Sequence, residues 1–137
     1  MKKAISALLT LCILLACCSC GTDSLDTSCE KADKLLSDYS KKLTASCYYE
    51  GEYTKIQGVY CYAVIATLSQ EVVEMAGKDW SIFSGATMAR VSQDILEKVY
   101  PSLTNLFEPH DVDVAIFVQN PYGETYSMIL RGEIHHD

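Results

Sequence analysis

The strongest constraint on the fold of this chain is a pair of alternating stretches near its C-terminus. Apolar residues recur at every second position over 112–118 and again over 126–130. A period of two is typical of a strand that rests one face on a core. Asn120-Pro-Tyr-Gly123, which separates the stretches, is a turn signal with Pro and Gly in suitable places. The sequence therefore predicts a C-terminal β-hairpin.

The alternation also predicts a register for this hairpin. If the two apolar faces align across the five-residue loop 120–124, Val114 pairs with Leu130. Asp113 then lies opposite Arg131, which makes an opposite-charge cross-strand pair.

The same register suggests a metal site at the end of the sheet. It puts Asp111 opposite Glu133, with His110 and His135 near the same end. Oxygen ligands this close together suit a hard cation. Against this hypothesis, an acidic protein gathers carboxylates by chance, and the three histidines of the chain also fit solvated surface positions.

The sequence of the rest of the domain predicts helices that pack on a small sheet. Thr27-Ser-Cys-Glu30 is a capping box, followed by apolar residues at helical spacing. The run 59–68 is apolar on both faces and rich in β-branched and aromatic residues, which favours a central strand, although a buried helix continuing to Ala76 is the alternative. We expect helix 29–45, strands 47–53 and 59–68, helix 70–76, a long helix from about 84 that Pro101 ends or kinks near 100, and the hairpin. The fold class is α+β, with a small antiparallel sheet of three to four strands and helices packed on one face.

The N-terminus has the layout of a signal peptide. Lys2 and Lys3 precede thirteen uncharged, mostly apolar residues, Ala4 to Ala16. A membrane-spanning helix needs about 20 apolar residues, and this run is shorter.

The residues that follow, in LLACCSCG over 14–21, resemble the processing box of bacterial lipoproteins. Leu14, Ala16 and Cys17 match its aliphatic, small and acceptor positions, and Cys20 is the second choice of acceptor. The resemblance implies cleavage before Cys17, a diacylglyceryl thioether on that cysteine as the bound lipid, and a place on the extracytoplasmic face of the cell membrane. The tyrosine- and valine-rich strand, the helical middle with its tryptophan and the hairpin are similar to small uncharacterised lipoproteins of Gram-positive bacteria, a likeness that implies no activity.

Three segments follow from this reading: a signal peptide over 1–16, the lipidated cysteine and a flexible tether over 17–28, and a single domain over 29–137. Cleavage leaves 121 of the 137 residues. It removes Lys2 and Lys3 from the 11 basic residues, so 9 face 18 acidic ones and the formal charge is about −9. A surface this acidic repels phosphate backbones, so we exclude nucleic acid as a partner.

Three cysteines belong to the folded part: Cys29, Cys47 and Cys61. A disulfide between Cys47 and Cys61 is compatible with neighbouring strands and an oxidising compartment. Two buried thiols that pack as small hydrophobes are an equally good interpretation. Since the number is odd, at least one thiol stays free or pairs outside the domain.

We find no sequence motif that joins a nucleophile to a base, so we expect the protein not to be an enzyme. The leading hypothesis is a non-catalytic binding or envelope-accessory domain, held at the membrane by its lipid, with an envelope protein or the cell wall as partner. The alternative is a metal- or thiol-dependent activity at the Asp111/Glu133 end or at a free Cys29. No cofactor other than the lipid on Cys17 is expected.

Overall fold

The structure, a computed structural model, describes residues 23–42, 47–76 and 80–136. The signal peptide, Cys17, Cys20 and the last residues of the first predicted helix lie outside these ranges. The described residues form an α+β domain, as the sequence predicts. In chain order the elements are α1 (Leu25–Ser40), β1 (Cys47–Ile56), β2 (Val59–Leu68), α2 (Gln70–Ala76), α3 (Trp80–Lys98), α4 (Tyr100–Phe107), a 3-10 turn (Glu108–His110), β3 (Asp113–Gln119), β4 (Thr125–Leu130) and β5 (Glu133–His136).

The strands form one mixed sheet in the order β1-β2-β3-β4-β5. Strands β2 and β3 run parallel, whereas the other three neighbouring pairs are antiparallel. The predicted three to four strands are close to the five that the structure has. The sheet is mixed, so the prediction of a purely antiparallel sheet is wrong. Three helices separate β2 from β3 in the sequence, and a helical connection of this length returns the chain to the end where β2 began, as parallel pairing requires.

Helix α1 begins four residues before its predicted start. Ser24 is the N-cap, and its Oγ accepts a hydrogen bond from the Thr27 amide at 3.2 Å. A serine oxygen in this position satisfies one of the free amides of the first turn. The capping box at Thr27 is thus inside the helix, and so are the last four residues of the predicted tether. The helix buries Ser28, Ala32 and Leu36, spaced one turn apart.

The register of the C-terminal hairpin differs from the prediction by one residue. Leu130 pairs with Ala115, and a β-bulge interrupts the ladder between Val118 and Gln119. The extra residue, Tyr126, reverses the alternation of β4, so Ile129 faces the core and Leu130 does not. The predicted pair of Val114 with Leu130 is wrong because a bulge of this kind leaves no mark in an alternating sequence.

Strand β5 was not predicted from the sequence. Arg131 and Gly132 have φ of 51° and 78°, and Gln57 and Gly58, between β1 and β2, have φ of 49° and 84°. Positive φ at both central residues is typical of the type I′ turn that closes a two-residue hairpin. The chain therefore reverses again after β4 and adds a fifth, four-residue strand.

The helices cover one face of the sheet. Alternate residues of β2, Tyr62 to Leu68, are buried there together with residues of β3 and the helices. Tyr62 stacks on Phe107 of α4, with ring centroids 4.5 Å apart. Helix α3 ends before Val99, and the chain continues as α4 with Pro101 in its first turn, where the absent amide costs nothing. Within the described ranges, no helix is long and apolar enough to cross a membrane.

Candidate functional site

None of the described residues covers the face of the sheet opposite the helices, and the central strands are largely apolar on this face. In β2 the residues that alternate with the buried set point to this face, and Val59 and Ile65 are exposed there. Ile65 pairs with Phe117 of β3, and Phe117 pairs with Met128 of β4, so the same face continues across three strands. We call this surface the open face.

A groove of about 360 Å³ lies on the open face, at the end where the β1–β2 turn is found. Its walls are mostly aliphatic and aromatic side chains from four strands. The apolar lining residues are Ile56, Val59, Cys61, Ala115, Phe117, Met128 and Leu130. An apolar depression with few polar groups suits a hydrophobic ligand or the apolar surface of a partner.

Acidic side chains flank the open face on both sides. Glu50 and Glu52 of β1 pair with Ile65 and Ala63, so they share that face. On the other side, Glu133 of β5 pairs with Leu130. All three glutamates are exposed. The apolar surface is therefore bordered by negative charge, which favours a partner that carries positive charge around an apolar centre.

The ion pair predicted between Asp113 and Arg131 is present at the edge of the groove. The guanidinium of Arg131 donates to Asp113 Oδ2 from Nη2 at 3.1 Å and from Nε at 3.3 Å. The contact is made although the two residues are not ladder partners. Arg131 directly follows Leu130, the partner of Ala115, and so lies diagonally across from Asp113.

Cys61 lies in the groove as a neutral thiol. Burial, and then the negative charge of Asp113, raise its pKa above the usual value of 9.0. The pKa of Cys29 is also raised, first by burial and then by Asp33 and Asp26. Because the thiolate is the reactive form, both cysteines are poor nucleophiles at neutral pH.

Cys47 and Cys61 do not form a disulfide, and both thiols are free and buried. Cys47 pairs with Leu68 and Cys61 with Thr54, seven positions further along β1. At about 3.3 Å per residue, the two cysteines are roughly 23 Å apart along the sheet. They also face opposite sides, since Cys47 belongs to the core under the helices. The alternative interpretation, two buried thiols, is the one that the structure supports.

The four residues proposed as metal ligands are not brought together. Glu133 pairs with Leu130, not with Asp111, because β5 turns back after the β4–β5 turn. Asp111 lies beside Glu108 and Asp113 in a separate polar groove, while the side chain of His110 contacts α1. His135 lies in β5 opposite Met128. Among the residues described, no group of three or more histidine, cysteine or acidic side chains is placed to hold a metal ion.

A hydrogen bond between Ser28 and His110 was missed by sequence reasoning. Ser28 Oγ lies 3.1 Å from His110 Nε2 and joins α1 to the 3-10 turn that precedes β3. His110 is half-buried, so the expectation of a solvated histidine is wrong. One sequence signal for this hydrogen bond was available. Ser28 lies one turn before Ala32 on the apolar stripe of the helix, a position that indicates a buried hydroxyl in need of a partner. Only 2% of Ser28 is exposed, so its hydroxyl is closed to a substrate and the pair joins two elements.

Comparison of the chain with protein-family models, with curated proteins and with solved structures found no significant match. The open face and its groove are thus the principal basis for a functional proposal.

Proposed function

We propose that the protein is a lipoprotein, anchored by a diacylglyceryl group on Cys17 at the extracytoplasmic face of the cell membrane. Its domain is non-catalytic and binds an envelope protein through the open face. The partner presents an apolar surface flanked by lysine or arginine side chains. The observation that carries the binding function is the apolar groove of about 360 Å³ on the uncovered side of the sheet.

Three features support a binding role over a catalytic one. The groove is lined mainly by side chains without acid–base chemistry, and its one thiol is kept protonated by burial and by Asp113. The hydroxyl–imidazole pair formed by Ser28 and His110 is inaccessible, because only 2% of Ser28 is exposed. The glutamates beside the groove add charge selectivity to a surface whose centre supplies apolar contact.

The anchor is tested by the intact mass of the protein extracted from membranes. We expect a mass that corresponds to cleavage before Cys17 with a diacylglyceryl group added. Cys17→Ala should abolish the addition, and Cys20→Ala should leave it unchanged. An unmodified, secreted product would contradict the anchored lipoprotein.

The open face is tested by crosslinking in intact cells. Ile65→Glu places a charge at the centre of the open face, where Ile65 is 40% exposed, and should abolish the crosslink to the partner. Tyr122→Glu is the matched control, because Tyr122 is exposed in the loop between β3 and β4 and lies off the groove. If both variants keep the crosslink, or if the protein is recovered only alone, the open face is not the binding surface.

A further inference from the structure

The start of α1 and the β1–β2 turn lie at the same end of the domain. Helix α1 runs antiparallel to β1, as two hydrogen bonds along its length show. Ser40 Oγ accepts from the Tyr49 amide at 2.9 Å, and Asp33 accepts from the Tyr62 hydroxyl at 2.6 Å. Because Tyr62 pairs with Tyr53, the helix approaches the β1–β2 turn as it is followed back to its first residue.

The β1–β2 turn and the residues beside it, 55–60, form what we call the hairpin tip. The tip exposes three large hydrophobic side chains in close sequence: Val59 is 62% exposed, Tyr60 55% and Ile56 36%. Ile56 and Val59 pair directly on the open face. The hairpin tip therefore exposes apolar surface to water, which is unfavourable in free energy. Contact with another apolar surface would remove this unfavourable exposure.

Aromatic and cationic groups lie on the other face of the hairpin tip, where Lys55 pairs with Tyr60. The ring of Tyr60 stacks on Tyr53 with centroids 5.4 Å apart, and the Lys55 ammonium lies 5.2 Å from the centroid of the Tyr60 ring. Tyrosine and lysine at the border of an apolar patch are typical of residues at a membrane–water interface, where the apolar body enters the bilayer and the polar end stays hydrated.

The proposed anchor restricts what the hairpin tip can meet, and at this point the inference rests on the proposed function. Six peptide units separate Cys17 from Asp23, the first residue described. Even when fully extended, they span at most about 22 Å. The end of the domain that carries both the start of α1 and the hairpin tip is thereby kept close to the bilayer.

We propose that the hairpin tip inserts Ile56, Val59 and Tyr60 into the interfacial layer of the membrane, as a second contact beside the lipid on Cys17. The part of the open face around Ile65, Phe117 and Met128 then stays available to the protein partner. The ligand is the lipid surface itself. Carboxylates of Glu108, Asp111 and Asp113 line a groove near the start of β3, beside the same end of the sheet, so attraction to anionic headgroups contributes little. The contact is apolar and should persist at high salt. It also fixes the orientation of the domain, with the β3–β4 loop directed away from the membrane.

The test uses the full lipidated protein reconstituted into phosphatidylcholine vesicles, with and without bromine on the acyl chains. Val59→Trp places a fluorophore at the hairpin tip. Tyr122→Trp is the control, because Tyr122 is 71% exposed at the opposite end of the sheet. Each spectrum is compared with that of the parent protein, which contains Trp80. We expect the added fluorescence of Val59→Trp to shift to shorter wavelength and to be lost in brominated vesicles, and that of Tyr122→Trp to do neither.

The remaining outcomes separate the two proposals. If the mass confirms the lipid but neither tryptophan is quenched, the membrane contact is overturned and the anchor stands. A shift to shorter wavelength without quenching would mean that the hairpin tip is buried against protein, such as a second copy of the chain, and this also overturns the contact. An unlipidated protein that does not join the vesicles would overturn both. Amide hydrogen exchange at residues 55–60 is the independent check. We expect it to be slower in the lipidated protein on vesicles than in the unlipidated Cys17→Ala variant in detergent-free solution.

Discussion

Gly51 lies where α1 and Tyr62 pack closely against β1. It lies on the core side of β1 opposite Val64, and a Cβ built on it would meet Leu36 Cδ1 and Tyr62 Cζ at 2.7 Å. The hydroxyl of Tyr62 passes over this position to reach Asp33. A strand interior without a side chain weakens the strand itself, so the glycine here reflects the close approach of the helix and the tyrosine.

We therefore expect Gly51→Ala to lower the free energy of unfolding by about 1–3 kcal/mol, the usual cost of overpacking a core. Gly85→Ala in α3 is the control, since its Cβ would meet nothing within 4 Å. That change should raise stability by about 0.5–1 kcal/mol, because alanine is the better helix former. Urea unfolding of the two variants measures both effects. Equal effects of the same sign would contradict the packing argument.

Cys47 makes stability depend on pH in the alkaline range. Burial raises the pKa of its thiol to about 12 in the folded protein. In the unfolded chain the thiol has its ordinary value of about 9, so above that pH the unfolded state loses a proton that the folded state keeps. The buried neutral thiol makes its full contribution to the free energy of unfolding below pH 9. That contribution is lost as the pH rises toward 12.

Replacement of Cys47 by alanine should accordingly flatten the fall in stability above pH 9, by at most about 1.4 kcal/mol per pH unit. The measurement is urea unfolding below and above pH 9 for the parent and for Cys47→Ala. At neutral pH the variant should be less stable, because it leaves a small cavity. If the free energy of unfolding falls equally steeply above pH 9 in both proteins, burial does not raise the pKa of this thiol.

At the scale of elements, helices were easier to predict than pairings between strands. The predicted helix 70–76 coincides with α2, and apolar spacing together with Pro101 places most of α3 correctly. The first predicted helix overlaps α1, although both of its ends differ. The register of strand pairing was harder to predict. One additional residue, Tyr126, moves the residues of β4 that were expected in the core to the open face, and those expected on the open face to the core. The bulge is tolerated because the core face of β4 then carries Ser127, which forms a buried hydrogen bond of 2.7 Å with Ser92 of α3. No alternation rule assigns a serine to the core.

The candidate site was missed for the same reason. The metal hypothesis depended on the unbulged register, and the open face depends on strands that the sequence does not place side by side. Valine and phenylalanine in β2 and β3 were recognisable as strand residues, but alternation within one strand does not indicate which face the helices cover.

The hydrogen bond between Ser28 and His110 connects two elements that are distant in sequence. Ser28→Ala leaves the imidazole nitrogen without its partner in a half-buried setting, and His110→Ala removes the partner of a buried hydroxyl. We expect each change to cost about 0.5–1.5 kcal/mol, and the double variant to cost clearly less than the sum. Unfolding of the four proteins in this cycle gives the coupling energy. A coupling energy near zero would contradict a stabilising hydrogen bond between the two side chains.

At the scale of the whole molecule, protection should be greatest in the two parallel strands. Residues of β2 and β3 are paired on both sides and supply much of the core, whereas β5 has four residues at an edge of the sheet, most of them exposed. Native-state hydrogen exchange should show the slowest amides in β2 and β3, with free energies close to that of global unfolding, and faster exchange by local opening in β5. Exchange in β5 as slow as in β2 would contradict this ranking.

The order of the strands in the sheet is also their order along the chain. Each strand after the first is added at an edge that already exists, and none has to be inserted between two neighbours that have already paired. A chain that emerges N-terminus first, from a ribosome or through a membrane pore, can thus extend its sheet in the order of emergence. The β1–β2 hairpin can form first and offers β2 as the edge to which β3 is added. The pairing of β3 must wait until the helices between β2 and β3 have emerged. Strands β4 and β5 then pair in turn, and the strands already paired do not have to separate.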